Sequence, residues 1–142
     1  MQNGDGVVSA ITVTIPGTLR GKARPRVTKA GHAYTPAATV SAEAWVRQCT
    51  LDQVGQPCLD GALWVRLGIA FAVPASWSKK KRAAALVGTI QPTGKPDIDN
   101  LVKTIGDALN GILWRDDSQI VDLRAAKFYA NEPFTTLTVE VL

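Results

Sequence analysis

The stretch KPDIDNLVKTIGDALNGILWRDDSQI, from Lys95 to Ile120, determines more of this fold than any other part of the chain. Its apolar residues recur at spacings of three and four, which predicts a helix over Asp97–Ile112 with one buried face. These residues are Ile98, Leu101, Val102, Ile105, Ala108, Leu109 and Ile112. The same stretch holds five aspartates: Asp97, Asp99, Asp107, Asp116 and Asp117. So many carboxylates beside a helix built for burial indicate a functional site as well as a core element.

The carboxylates occupy defined positions relative to this helix. Asp99, Lys103 and Asp107 are spaced by four and therefore share one polar stripe. Asp97 lies at the helix start, where the helix dipole favours a negative charge. A second acidic pair follows the helix. If the next strand, over Gln119–Ala130, lies beside the helix start, it returns Asp117 to Asp97 and Asp99.

A cluster of this kind points to a divalent cation. Two carboxylates ~4 Å apart repel by about 4 kcal/mol at an effective dielectric constant near 20, so a cluster persists when protons, cations or a metal neutralise it. Oxygen ligands without Cys or His favour Mg²⁺, for which Mn²⁺ can substitute. Such an ion polarises a phosphoryl oxygen and activates water, and Lys103 would stabilise the charge that develops. The structural alternative stays open: Asp97 only caps the helix, and Asp99–Lys103 is an exposed ion pair worth about 0.3–0.5 kcal/mol.

The charge is distributed unevenly along the chain. Residues 1–96 contain 12 basic and 4 acidic residues, whereas residues 97–142 contain 4 basic and 8 acidic residues. Two clusters of basic residues stand out. We expect the first to lie in a mobile loop over residues 19–35, and the second in the first turn of a short helix that Ser78 caps. Their cations are Arg20, Lys22, Arg24, Arg26 and Lys29 in the loop, and Lys79, Lys80, Lys81 and Arg82 in the helix. Cations at a helix start oppose the dipole, and an external anion would relieve this. The pattern predicts a phosphate-rich partner, with solvated surface charge as the alternative.

The remaining patterns define the fold class. Alternation predicts a strand in AITVTIPG, a second strand from Leu63 to Val73, and two closing strands after Gln119. A helix is predicted over Thr39–Val54, starting near Ser41. No helical or strand period occurs in residues 19–35, which we therefore interpret as a loop. We expect one small α+β domain over residues 1–142, a mixed sheet with helices packed on it.

Composition argues against several classes of protein. The 142 residues are 46% apolar and 20% charged, as in an ordinary globular domain. No apolar run approaches the roughly 20 residues that cross a bilayer, and the first residues do not resemble a signal peptide. We therefore expect a cytoplasmic protein with no membrane contact. Cys49 and Cys58 are interpreted as reduced thiols, since no secretory signal accompanies them. The single histidine, His32, argues against histidine-centred catalysis.

One segment of the chain resembles the signature of the RusA-type Holliday junction resolvases. The segment is KPDIDNLVKTIGDALNGILWRDDSQIVDLRAAK, and the signature is D-x-D-N-L-x-K, followed by D-A-L and then by D-D-x-Q-[IV]. The segments IPG, KARPR and PASWSKKKRAAALVG resemble the phage-type branch of that family. The resemblance implies a Mg²⁺-dependent endonuclease of recombination and repair. It would act as a homodimer in a bacterial host cell and be phage- or prophage-encoded.

The resemblance also implies roles for particular residues. Catalysis and metal binding would belong to Asp97, Asp99 and Asp117, with Lys103 as the catalytic lysine, while Asp107 and Asp116 would be supporting. The substrate would be a four-way DNA junction, cut by paired symmetric nicks, with phosphates held by the two basic clusters. A nuclease for flaps or forks and a junction-binding protein that does not cut remain alternatives. A DxD nucleotide-sugar transferase is a weaker one, because 142 residues leave little room for a donor-binding fold.

Overall fold

Helices cover one face of a mixed four-stranded sheet, which makes the fold α+β. The computed structural model describes residues 10–21, 26–27, 33–34 and 37–142. The strands are β1 (Ala10–Pro16), β2 (Arg26–Val27), β3 (Ala33–Tyr34), β4 (Leu63–Ala72), β5 (Ile120–Ala130) and β6 (Phe134–Val141). The helices are α1 (Ala37–Val54), α2 (Lys79–Leu86) and α3 (Ile98–Leu109), and a 3₁₀ turn spans Asp117–Gln119. This confirms the predicted fold class.

The sheet has the strand order β1–β6–β4–β5. β6 pairs antiparallel with both β1 and β4, whereas β4 pairs parallel with β5, which makes the sheet mixed. In β4 the alternate residues Leu63, Val65, Leu67 and Ile69 are all buried, as the period of two predicts. Because β5 comes last in the strand order, it is an edge strand, and its neighbour is the largely buried β4.

The core lies between the sheet and the pair α1 and α3. The face of α3 that packs inward includes Leu101, Ile105, Ala108 and Leu109, each essentially inaccessible to solvent. The buried face predicted from the periodicity is therefore confirmed, although Ile98 at the helix start is exposed. Below α3 lies the fully buried Trp114.

The structure corrects three details of the sequence analysis. The central helix ends at Leu109 rather than at Ile112, because the chain turns through Gly111 with φ +80°, a conformation that suits glycine. The first helix begins at Ala37, ahead of the Ser41 cap that was predicted. The basic region is not all loop, since Arg26–Val27 and Ala33–Tyr34 form a short antiparallel pair. Two residue pairs are too few to leave a detectable period in the sequence.

Other local predictions are confirmed. Ser78 caps α2, because its Oγ accepts a hydrogen bond from the N–H of Lys81 at 3.2 Å. Cys49 and Cys58 are free thiols. Among the helices that the structure describes, none has the length and apolar character to cross a membrane.

Candidate active site

Two carboxylates lie at the beginning of α3 with no structural task of their own. Asp97 is the N-cap residue, yet its side chain makes no capping hydrogen bond, and Asp99 is exposed in the first turn. Asp97 Oδ2 lies 3.1 Å from the ammonium of Lys95, in a pair that is largely open to solvent. Among the described residues, no ion pair within 4.0 Å joins Asp99 to Lys103. Neither structural alternative, the cap or the i,i+4 pair, is therefore formed.

The segment before α3 is fixed by a lysine that the sequence analysis did not single out. Lys127 on β5 donates hydrogen bonds from Nζ to the carbonyl oxygens of Gly94 and Pro96, both at 2.9 Å. Lys127 pairs in register with the buried Ile69, so a charged residue occupies a position that should be apolar. That break in the alternation is the signal that could have identified it. Lys127 positions the segment that leads directly into Asp97.

Asp117 is held by a tightly bonded turn. Asp116 Oδ2 accepts a hydrogen bond from the N–H of Ser118 at 3.0 Å, and the Gln119 side chain accepts one from the N–H of Asp116, also at 3.0 Å. Gln119 also donates from Nε2 to the carbonyl oxygens of Leu59 and Gly61. Hydrogen bonds from the Ser118 side chain and backbone lower the pKa of Asp116. Asp116 is thus a structural cap that fixes the turn carrying Asp117.

The carboxylate of Asp117 packs against the second half of α3. A Cβ atom at Gly106 would lie 2.8 Å from Asp117 Oδ2 and 3.4 Å from Asp117 Cβ, so only glycine leaves room for this contact. Lys103, one turn earlier on α3, lines the same cavity of about 270 Å³ as Asp117. Asp122 and the apolar side chains of β4 and β5 complete its walls. The structure therefore brings Asp117 and Lys103 to one cavity.

Asp117 does not come together with Asp97 and Asp99. Gly106 lies seven residues beyond Asp99, which is about 10.5 Å along a helix. Within the described residues, no group of three or more His, Cys, Asp or Glu side chains could hold a metal ion. The cause is the direction of the strand: a short connection starts β5 near the end of α3, and β5 then runs back until Lys127 reaches Pro96. β5 does lie beside the helix start, but it does so at Lys127 in its second half, so the strand does not return Asp117 to Asp97 and Asp99.

The basic loop begins at the first turns of α3. The Thr104 hydroxyl lies 3.1 Å from the carbonyl oxygens of Arg20 and Asn100 and can donate to either. A Cβ at Gly21 would come within 2.9 Å of Pro96 Cβ, so the two segments are in close contact. The side chain of Arg20 is exposed. Lys22, Arg24 and Lys29 lie outside the described residues, and Arg26 is described only as backbone of β2.

The second basic cluster lies at the same end of the sheet. Lys79, Lys80 and Lys81 are exposed in α2, and Arg82 is partly buried. The ammonium of Lys81 lies 4.0 Å from the ring centroid of Trp77, and Trp77 contacts Tyr129 edge-on at 5.4 Å. Tyr129 follows Lys127 by two residues on β5, so this contact places the cations near the segment that precedes Asp97. Arg20 and Gly21 of the first cluster and the cations of α2 thus lie near the first turns of α3 or the segment before it.

Most of the chain matches a known protein family. The sequence pattern of the family described as endodeoxyribonuclease RusA matches residues 16–141 of the chain. The chain belongs to the RusA family. The prediction of membership is confirmed, and the family is one of DNA endonucleases. The RusA match includes all of the carboxylates and cations described above. A Bacillus subtilis (strain 168) protein named "Uncharacterized protein YqaN" is 55% identical over 56 residues, a segment that covers 39% of this chain and 39% of YqaN.

Proposed function

We propose that this protein is a metal-dependent endonuclease that resolves four-way DNA junctions by paired symmetric nicks, acting as a homodimer. The observation that carries the proposal is the exposed pair Asp97 and Asp99 at the start of α3. These carboxylates make neither the cap nor the i,i+4 pair that would explain them structurally. Membership of an endodeoxyribonuclease family gives them a reaction.

The donor chemistry of this pair fits a hard divalent cation. Mg²⁺ is usually held by one or two protein carboxylates and completes its shell with water and substrate phosphate, so Asp97 and Asp99 are sufficient as protein ligands. Mn²⁺ would occupy the same oxygen site. When bound, the ion would polarise the phosphoryl oxygen and make an attacking water more acidic.

Lys103 and Asp117 would act from the neighbouring cavity. The ammonium of Lys103 would bind a non-bridging oxygen of the scissile phosphate and stabilise the charge that develops there. Asp117 is proposed as a third catalytic carboxylate that acts from this cavity, apart from Asp97 and Asp99. In its position against Gly106 it can orient a water through Oδ2, or accept a proton from it. Asp107 supports the site from the same stripe of α3.

The cations around α3 would hold the junction arms. The candidates are the cations of the loop that starts at Arg20 and the exposed lysines of α2. Contacts of this kind go mainly to phosphates, so affinity should depend strongly on salt and weakly on base sequence. A two-fold dimer would provide one site for each of two strands of a junction.

The test is cleavage of a synthetic four-way junction labelled on each strand in turn, with Mg²⁺ or with EDTA. We expect symmetric nicks that need the metal, are absent in Asp99→Asn, and persist in the control Glu132→Gln, an exposed carboxylate in the β5–β6 turn. Asp99→Asn should still bind the junction, because it removes negative charge near DNA.

Other outcomes would identify other functions. Efficient cutting of flaps or forks with an intact junction would indicate a nuclease of different specificity. Tight junction binding with no incision in Mg²⁺ or Mn²⁺ would indicate a binding protein and refute the proposal. Wild-type cutting by Asp99→Asn would refute the assignment of the site.

A further inference from the structure

The four-stranded sheet has a second face, which points away from α1 and α3 and which we call the outer face. In β4 the buried side chains of Val65, Leu67 and Ile69 point to the core. Arg66 and Gly68 lie between them and therefore point to the outer face. A solvated face is usual in sheets with antiparallel strands, so openness alone indicates no function.

Two arginines lie side by side in the middle of the outer face. The register places Arg66 of β4 directly beside Arg124 of β5, and both side chains are exposed. Among the described residues, no carboxylate forms an ion pair within 4.0 Å of either guanidinium. Like charges opposite one another across two strands are destabilising. A bound anion would relieve this repulsion, so the pair has the character of a ligand site.

A cavity of about 440 Å³ opens beside the two arginines, and both line it. The nearest carboxylates in the register, Asp122 and Glu140, lie opposite Trp64 in the next row of the face and do not line the cavity. The hydroxyl-bearing side chains of Thr136 and Thr138 form part of its wall. Cavities of roughly 300–1,000 Å³ hold small ligands, so one nucleotide unit can enter.

The far end of this cavity is aromatic. A Cβ atom at Gly68 would lie 3.0 Å from Thr136 Oγ1 and 3.4 Å from Cε1 of the Phe128 ring. Because Gly68 has no side chain, the Phe128 ring can lie over the backbone of β4. Phe128 contacts Phe134 edge-on at 6.1 Å, and both rings are partly exposed. The cavity thus joins two guanidinium groups to an accessible aromatic ring.

We propose that the outer face binds single-stranded nucleic acid, with a phosphate at Arg66 and Arg124 and the adjoining base against Phe128. Guanidinium groups bind phosphate through two parallel hydrogen bonds. Aromatic side chains are stacking platforms for unpaired bases, whereas the bases of a duplex stay inside their own stack. The hydroxyls of Thr136 and Thr138 can donate to phosphate or sugar oxygens.

This site is separate from the candidate active site. Val65 of β4 lines the cavity that contains Lys103 and Asp117, and it points to the opposite face of the sheet from Arg66. Binding on the outer face therefore involves neither the candidate metal ligands nor the proposed cleavage, and the inference does not rest on the proposed function. It would hold an unpaired strand on the far side of the sheet from the cleavage site.

The first test measures binding of a labelled oligothymidine of roughly 15 nucleotides by fluorescence anisotropy, in EDTA so that no cleavage occurs. Arg66→Ala with Arg124→Ala should raise the dissociation constant by at least ~10-fold. The salt dependence should become shallower by ~0.7 for each phosphate contact that is lost. The control is Arg47→Ala with Arg115→Ala, which removes the same charge from two arginines already paired with carboxylates. It should bind within ~twofold of wild type.

The second test separates the base from the phosphate. Phe128→Leu keeps an apolar side chain but loses the stacking surface, so it should weaken single-strand binding by about fivefold or more. It should leave the binding of a duplex of the same length unchanged. Thermal unfolding of each variant checks that it is folded. The double arginine variant removes a like-charge contact and should not melt at a lower temperature, so it decides the matter even if Phe128→Leu does not fold.

The outcomes separate this site from the proposed function. A double arginine variant that binds the oligonucleotide like wild type would overturn the inference. Equal weakening in the control variant would also overturn it, because total charge would then account for the effect. Equal losses of duplex and single-strand affinity, with Phe128→Leu unaffected, would show a general phosphate contact and overturn the single-strand assignment. A wild-type protein that shows the expected losses but cuts no junction would refute only the proposed function.

Discussion

Replacing Gly106 with alanine tests whether the position of Asp117 matters for catalysis. The new Cβ atom would lie 2.8 Å from Asp117 Oδ2 and 3.4 Å from Asp117 Cβ. Ordinary contacts of this type are longer than 3 Å, so the carboxylate must move by about 0.5 Å or more. The three heavy atoms nearest to this methyl group all belong to Asp117. The change therefore displaces one carboxylate and leaves the rest of the site in place.

The structure predicts little change in stability but a large loss of activity. Alanine is about 1 kcal/mol more favourable than glycine inside a helix, which offsets the cost of moving a flexible side chain. The melting temperature should therefore change by no more than ~3 °C. A displacement of about 1 Å at a reacting centre can cost 10²-fold in rate, so cleavage should fall by roughly 10- to 100-fold.

The assay is single-turnover cleavage of a labelled four-way junction with Mg²⁺, beside thermal unfolding of the same preparations. The matched control is Gly94→Ala, because a Cβ at Gly94 would meet nothing within 4 Å. This control should keep both rate and stability. Wild-type cleavage by Gly106→Ala would refute the reasoning, because Asp117 would then not need its place against α3. A drop of many degrees in melting temperature would refute it as well, since the lost rate would then follow from unfolding.

Three further predictions address the other parts of the site. Asp116→Asn should cleave at a rate within about threefold of wild type, because the amide oxygen can still cap the turn. Asp117→Asn should lower the cleavage rate by at least ~100-fold. Equal losses of rate in the two variants would contradict the separate roles of Asp116 and Asp117. Because the pKa of Asp116 is lowered in the folded state, its stabilising contribution is present above its unfolded pKa and is lost as the pH falls through the lowered value. Thermal unfolding in acid should therefore show a weaker pH dependence in Asp116→Asn than in wild type. Lys127→Met removes the hydrogen bonds to Gly94 and Pro96, so it should lower the free energy of unfolding by about 1–3 kcal/mol and slow cleavage. Lys127→Arg should recover part of both losses. Chemical denaturation and cleavage assays measure the two effects. Replacing Arg24 and Arg26 with alanine should weaken junction binding. It should also reduce the steepness with which the logarithm of the binding constant falls with the logarithm of the salt concentration, by up to about 2. An unchanged slope would show that the loop does not contact DNA.

Local patterns in the sequence were sufficient for the long helices and strands and for the choice of most candidate residues, though not for the short β2–β3 pair or for Lys127. The spacing of Leu101, Ile105 and Leu109 determines which face of α3 is buried, because a helix repeats every 3.6 residues wherever it is placed. The same period puts Asp99 and Lys103 on one stripe. Alternation in β4 and the Ser78 cap of α2 are equally local, and the structure confirms both.

The arrangement of these elements depended on contacts between residues far apart in the chain. β5 pairs parallel with β4 and runs back along α3. This arrangement places Asp117 beside Gly106 and Lys127 beside Pro96, and the sequence alone does not show it. The sequence has the same period of two whichever neighbour β5 has and whichever way it runs. The sequence by itself therefore determined which residues could do the chemistry. The tertiary structure decided which of them meet, because strand pairing is set by long-range packing rather than by local periodicity.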